Sequence, residues 1–150
     1  MIVKFILFKR KAGDVMGARY LKIAGVYFAI AVMLGLVMGI THNFAFTSVH
    51  AHLNLLGWVS MALFGLIYLY FPMASKTKLA NAHFWMHNIG LPVMQGALFL
   101  QILTGNTALT LGIVIGSIVL ILGTFLFVIN LFRQISSNQT VEPPKNDVTF

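Results

Sequence analysis

The stretch from Ala108 to Phe132 reads ALTLGIVIGSIVLILGTFLFVINLF and contains no charged residue. Roughly 20 apolar residues are enough to cross the hydrocarbon core of a bilayer as a helix. Three other stretches meet this criterion, and they run from about Tyr20 to Ile40, Val49 to Phe71 and His83 to Leu103. The runs are continuous rather than alternating, which argues against a strand barrel. The sequence therefore predicts an all-α integral membrane bundle of four helices.

The composition of the chain favours the same class. Hydrophobic residues make up 59% of the 150 positions and charged residues 9%, whereas soluble domains carry about a quarter charged residues. With this hydropathy, a net charge of +7 indicates contact with a membrane surface and no nucleic-acid partner. The absence of cysteine excludes disulfides, thiolate metal sites and covalently attached heme. Any heme must be held non-covalently, with histidine and methionine as the candidate ligands.

The charges predict how the bundle is oriented. All ten basic residues precede or begin the first predicted span, lie between the second and third, or follow the fourth. They share one side of the membrane with both termini, and the positive-inside rule makes that side cytoplasmic. We expect a basic cytoplasmic segment over residues 1–19, a four-span domain over 20–133 and a disordered cytoplasmic tail over 134–150. The expected location is a bacterial inner membrane.

Small, amide and aromatic residues predict how the helices pack. Gly35 and Gly39 in the first span, and Gly112 and Gly116 in the fourth, form pairs that allow close helix approach. These pairs serve either packing within one bundle or a contact between copies. Three amides are predicted to hydrogen-bond between helices: Asn54, Gln95 and Gln101. Three aromatic residues are predicted to anchor the cytoplasmic interface: Tyr68, Tyr70 and Trp85.

Five histidines are the strongest candidates for function, because ionisable side chains are costly to leave unpaired in lipid. His42 ends the first span, while His50 and His52 begin the second, so all three are predicted near the outer face. At about 100° per residue, His50 and His52 point to nearly opposite sides of their helix and can each hold a different heme. Spacing alone leaves open that they are interfacial residues bonded to head groups or loop carbonyls.

His83 and His87 begin the third predicted span, near the cytoplasmic face. They are four residues apart and share a helix face, a spacing that suits a small metal ion. The alternative is an interfacial pair that hydrogen-bonds to backbone or lipid phosphate. A membrane-crossing span would separate this pair from the outer histidines by roughly 25–30 Å. If an outer histidine ligates a heme, the sequence thus predicts that the second axial ligand of that heme comes from another outer histidine or from another chain.

The run His50-Ala51-His52-Leu53-Asn54-Leu55-Leu56-Gly57-Trp58 resembles the tenth-helix signature of heme–copper oxidase subunit I, especially of the cbb-type oxidases and nitric oxide reductases. The similarity continues through Gly65-Leu66-Ile67-Tyr68, Phe71-Pro72, Thr77-Lys78-Leu79 and Asn81-Ala82-His83-Phe84-Trp85. The four spans then correspond to family helices nine to twelve. This resemblance implies that His50 ligates a high-spin heme and His52 a low-spin heme. The implied cofactor is heme b.

The resemblance also defines what one chain lacks. The family helices that carry the other low-spin heme ligand and the copper or non-heme iron ligands have no counterpart here, so the resemblance does not carry oxygen reduction or proton pumping over to this chain. We expect a heme-b-binding homo-oligomer, a dimer or trimer, in which His50 or His52 pairs with His42 or with a histidine of a second chain. Its expected role is respiratory electron transfer or binding of O2 or NO. The alternatives are a heme-free accessory or assembly subunit of a respiratory complex, and a membrane heme gas sensor.

Overall fold

The computed structural model of the protein describes residues 12–135. Most of the predicted basic N-terminal segment and nearly all of the predicted tail lie outside this range. The described chain is helical and forms no strand, which confirms the all-α prediction. Its helices are α1 (Ala12–Thr41), α2 (Thr47–Tyr70), a short α3 (Pro72–Ser75), α4 (Lys78–Thr104) and α5 (Thr107–Gln134).

Three of these helices, α1, α2 and α5, are long and apolar enough to cross a membrane. Their exposed surfaces are rich in large apolar side chains, such as Met33 on α1 and Phe132 on α5, as expected of helices that face lipid. The remaining long helix, α4, spans 27 residues. Histidine, asparagine and glutamine side chains within it keep its hydropathy below that of the other three.

The start of α4 differs from the predicted start of the third span. Hydropathy placed the start at His83, but the helix begins at Lys78 because Thr77 caps it: the Thr77 hydroxyl oxygen accepts a bond from the Ala80 amide at 3.0 Å. Such a cap satisfies one of the unpaired amides of a first helical turn. His83 and His87 therefore lie well inside the helix instead of at its entrance.

The helices pack as two hairpins, α1 against α2 and α4 against α5, and glycines set the closest approaches. A Cβ atom on Gly17 would lie 2.7 Å from the Gly65 carbonyl oxygen across the first hairpin. One on Gly116 would lie 2.8 Å from the Gly90 carbonyl oxygen across the second. Gly116 of the predicted Gly112–Gly116 pair thus serves packing within the bundle.

The two hairpins meet in an aromatic core near the basic end of the bundle. Tyr20 of α1 contacts Phe84 of α4 edge-on, with ring centroids 5.0 Å apart, and Phe64 of α2 contacts Phe127 of α5 at 4.5 Å. The connection between the hairpins is fixed by Asn130 of α5, whose side chain donates to the Ala74 carbonyl at 2.8 Å and accepts from the Thr77 hydroxyl at 2.7 Å.

Candidate functional site

His52 has one ring nitrogen held by the backbone, and the other has no hydrogen-bond partner among the described residues. Its Nδ1 lies 2.7 Å from the Ser48 carbonyl oxygen in the preceding turn of α2. Since a carbonyl oxygen only accepts, Nδ1 carries the proton and Nε2 keeps its lone pair. A bond from the second nitrogen to a backbone carbonyl is how proteins usually fix the orientation and tautomer of a ligating imidazole. The ring is exposed and points away from α1.

His52 lies at the rim of a cleft of about 280 Å³ between α2, α4 and α5. The cleft is mainly apolar, with Leu56, Met94 and Leu120 among its lining residues, and it also contains His87. Phe125 on its outer edge is 61% exposed, so the cleft is open at the outer surface of the monomer. An apolar cleft with a few polar groups is the usual form of a cofactor site.

His87 of α4 forms the inner wall of this cleft and is 2% exposed. Its Nε2 donates to the carbonyl oxygen of Leu56 at 3.0 Å. Leu56 belongs to a π-helical stretch, Leu53–Ser60, in the middle of α2, and such irregular turns are frequent at functional sites. The Nδ1 of His87 has no hydrogen-bond partner among the described residues.

The contact with Leu56 corrects the predicted depth of His87. Leu56 is four residues from His52 on the same helix, a rise of about 6 Å, so His87 lies close to the outer histidine in depth. The predicted separation of roughly 25–30 Å is wrong for His87, because α4 begins five residues earlier than the apolar run. The structure brings His52 and His87 to one cleft of one chain.

His83 lies one turn before His87, and its side chain has no exposed surface. Its Nδ1 is 3.0 Å from the Tyr20 hydroxyl and 3.3 Å from the Tyr68 hydroxyl, while its Nε2 has no partner among the described residues. Phe64 packs edge-on against both histidine rings, at 4.6 and 5.3 Å between centroids. His83 is therefore enclosed by aromatic side chains within the bundle.

Both rings of the His83–His87 pair are buried inside the protein, so the contact with lipid phosphate in the alternative interpretation is wrong. Their centroids are 5.8 Å apart, and the backbone bond foreseen in the alternative interpretation exists at His87 alone. The described part of the chain contains no group of three or more metal-ligating side chains. A small metal ion held by His83 and His87 stays a prediction.

His50 faces the opposite side of α2 from His52, as the helical spacing predicts. Its Nδ1 donates to the Ala31 carbonyl of α1 at 2.9 Å, and the Asn54 amide approaches its Nε2 at 3.3 Å. Gly35 makes room for the ring: a Cβ there would lie 2.8 Å from the His50 Cε1 atom. Both ring nitrogens of His50 thus have partners within the chain. Its predicted role as a ligand of a high-spin heme would require the Asn54 amide to turn away from Nε2.

His42 follows the last residue of α1 and adopts a φ of 51°. This left-handed conformation ends helices and is usually taken by glycine or asparagine. The side chain is exposed in the loop between α1 and α2, on the same end of the bundle as His50. The position leaves its ring free to contact another chain, as the predicted pairing requires.

Two buried residues were predicted from the sequence to have other roles. Tyr68 was predicted at the membrane interface, but it is completely buried and contacts His83. Gln95 was predicted to hydrogen-bond between helices, but neither atom of its amide has a partner among the described residues. Tyr20 was not singled out. Its place in an apolar run could have indicated its role. A tyrosine there is expected to be buried, and a buried tyrosine hydroxyl usually needs a polar partner.

No protein-family model, curated protein or solved structure matches the chain significantly. The resemblance to heme–copper oxidase subunit I therefore rests on the motif residues between His50 and Trp85 alone.

Proposed function

We propose that this chain is a multi-pass membrane protein that binds heme b through His52 and assembles as an oligomer. The observation that carries the proposal is the hydrogen bond from the His52 Nδ1 to the Ser48 carbonyl, at 2.7 Å. It leaves Nε2 as an oriented lone-pair donor at the mouth of an apolar cleft. Among the outer histidines, His52 is the one with this arrangement, since His50 has both nitrogens engaged. The tenth-helix motif supports the same residue.

The residues of one chain fit one side of a heme. His52 would supply an axial nitrogen, and the apolar lining, such as Leu56 and Leu120, would exclude water from the porphyrin face. When bound, the heme would supply reversible one-electron chemistry or an open coordination position for O2 or NO. His87 would remain a positioning residue, because it is 2% exposed and its unpaired Nδ1 is buried within the protein.

The oligomer is proposed because the cleft is open along its outer edge. Ile121 and Phe125 on that edge are exposed, and a second copy placed there would cover both these side chains and the outer face of a heme. His42 or His52 of that copy would then supply the second axial ligand. A dimer and a trimer both meet this requirement, and so does a respiratory-chain partner that presents a histidine.

The proposed topology includes α4 as a fourth span, with both termini in the cytoplasm. Two observations support it: α4 packs along α5 through the close contact of Gly90 with Gly116, and its 27 residues exceed the roughly 20 needed to cross a bilayer. Its polar side chains His83, His87 and Gln95 are buried within the bundle, where polar residues of membrane helices normally lie.

Heme content of the purified protein tests the proposal. The pyridine hemochrome assay would be applied to the wild type, His52→Gly and Thr124→Ala; Thr124 lines the same cleft without a ligating side chain. We expect heme b in the wild type and in T124A, and little in H52G. Added imidazole should restore heme to H52G by taking the place of the missing ring. A colourless wild type, from cells supplied with porphyrin precursor, would support the heme-free accessory role instead.

Carbon monoxide separates the two heme functions. A reduced heme with two axial histidines resists carbon monoxide, whereas a heme with His52 alone binds it and shifts its absorption spectrum. The open cleft favours carbon monoxide binding in a monomer, and assembly with a second histidine favours resistance. The experiment would therefore compare monomeric and oligomeric fractions of the same preparation. Spectra that respond equally in both fractions would contradict ligation by a second copy.

A further inference from the structure

A second hollow lies on the other side of α4 from the His52 cleft. It is a groove of about 450 Å³ between α1, α2 and α4, with Ile30, Val37, Val49 and Phe99 among its lining residues. None of the side chains that line it is charged, and Gln95 alone among them carries a polar group. Ligand pockets typically occupy about 300–1,000 Å³ and combine an apolar lining with a few polar groups.

Gln95 is isolated within this groove. Its side chain is 4% exposed, and neither its Nε2 nor its Oε1 has a hydrogen-bond partner among the described residues. The other two amides that were predicted to hydrogen-bond between helices are both engaged: Asn54 donates to the His50 carbonyl, and Gln101 accepts from Thr110. An amide left without partners in apolar surroundings costs roughly 2–7 kcal/mol, depending on the reference state. A ligand that pairs with the amide would recover part of this cost.

The backbone beside Gln95 keeps the groove open. Pro92 lines the groove and cannot donate the helical bond to the Asn88 carbonyl, so the helix has a freed acceptor there. Gly96 also lines the groove, and a Cβ atom placed on it would meet nothing within 4 Å. No side chain therefore blocks the groove at Gly96, next to the amide, and a molecule from the bilayer can reach this side of α4.

These features select the chemistry of the occupant. The absence of a cation in the lining disfavours a phospholipid head group, whose phosphate would need one. A symmetric contact with the same groove of a second copy is disfavoured too, because the exposed lining residues Met33 and Val37 are apolar and offer the amide no partner. The occupant must be uncharged, soluble in lipid and equipped with oxygen atoms that accept or donate a hydrogen bond.

We propose that this groove binds the head group of a lipid-soluble quinone, with the Gln95 amide as its hydrogen-bond partner. Both amide atoms are buried in the unliganded structure, so the side chain must turn into the groove on binding. The amide nitrogen then donates to a ring carbonyl of the oxidised quinone, and the amide oxygen accepts from a ring hydroxyl of the reduced form. The isoprenoid chain leaves the groove between α1 and α4 into the bilayer. The site is separate from the His52 cleft and does not require that heme be bound.

Binding of labelled decylubiquinone to the full chain in phosphatidylcholine nanodiscs tests the proposal, with protein-free nanodiscs to subtract partitioning. We expect saturable binding that excess unlabelled decylubiquinone displaces. Gln95→Leu should weaken it by roughly 3- to 10-fold, the equivalent of one hydrogen bond. Gly96→Leu should abolish it by filling the groove. Gln101→Leu, the matched control, removes an amide outside the groove and should leave binding unchanged.

Three results would overturn the proposal: no saturable binding to the wild type, equal affinity of the wild type and Q95L, or equal loss in Q101L. A fourth is an oligomer that Q95L converts to monomer without any quinone binding, because the groove would then be a contact between copies. Thermal unfolding of each variant separates loss of binding from loss of fold. Since Q95L removes an unpaired polar group, it should unfold at the wild-type temperature or above it.

Discussion

Removal of the hydroxyl groups that contact His83 should reveal that two tyrosines share one ring nitrogen. The Nδ1 of His83 lies 3.0 Å from the Tyr20 hydroxyl and 3.3 Å from the Tyr68 hydroxyl. A ring nitrogen has either one lone pair or one proton, so it makes one full hydrogen bond at a time. When one tyrosine is replaced by phenylalanine, the other remains within reach. When both are replaced, Nδ1 joins Nε2 as an unpaired atom in a completely buried side chain.

The magnitudes follow from the free energies of hydrogen bonds. Tyr20→Phe should lower the free energy of unfolding by about 1 kcal/mol, and Tyr68→Phe, which loses the longer contact, by about 0.5 kcal/mol. The double variant leaves a buried polar atom unpaired, which costs roughly 1–3 kcal/mol in addition to the cost of a single substitution. The double-mutant cycle should therefore show a coupling free energy of about 1–2 kcal/mol. Ring packing is preserved, since phenylalanine keeps the contacts with Phe64 and Phe84.

The assay is equilibrium unfolding in mixed micelles, followed by circular dichroism. Tyr70→Phe is the matched control, because Tyr70 is 64% exposed and substitutions at such positions usually change stability by less than about 0.5 kcal/mol. The effects of the two tyrosine substitutions will add within experimental error if each hydroxyl bonds to a separate partner. Additivity would thus refute the conclusion that the Tyr20 and Tyr68 hydroxyls share the Nδ1 atom of an enclosed His83.

Three further substitutions test other parts of the structure. Gly116→Leu should lower the melting temperature strongly, since its Cβ would lie 2.8 Å from the Gly90 carbonyl oxygen; unchanged melting would refute the close helix contact. Asn130→Leu should cost about 1–3 kcal/mol in unfolding, because it removes the bonds to Ala74 and Thr77. His42→Gly should raise stability by about 1 kcal/mol, since glycine adopts a φ of 51° without strain; its heme content relative to wild type tests His42 as a ligand.

The sequence predicted those features that depend on one helix at a time. Hydropathy alone located α1, α2 and α5, and the turn of about 100° per residue placed His50 and His52 on opposite sides of α2. Both results depend on local geometry, which is the same in every helix. The cap at Thr77 was not recognised, because it lies among polar residues outside the apolar run.

The features that the sequence failed to predict depend on how helices pack against one another. Tyr68 and Trp85 were given the same interfacial role, but Tyr68 faces His83 inside the bundle while Trp85 is exposed. The depth of His87 was wrong because the start of an apolar run was equated with the start of a helix. Its partner, the Leu56 carbonyl, belongs to another helix and could not be identified from spacing within α4.

Unpaired buried polar atoms distinguish α4 from the other helices of the described chain. The unpaired buried side-chain atoms of the described chain belong to His83, His87 and Gln95, all in the long helix that is least suited by composition to face lipid. A helix that served packing alone would be more stable with leucine at these positions, since an unpaired polar group is costly in apolar surroundings. Two of the three residues border a hollow, His87 the cleft of His52 and Gln95 the groove of α1. Part of the polarity that lowers the hydropathy of α4 therefore lies beside the two hollows for which ligands are proposed.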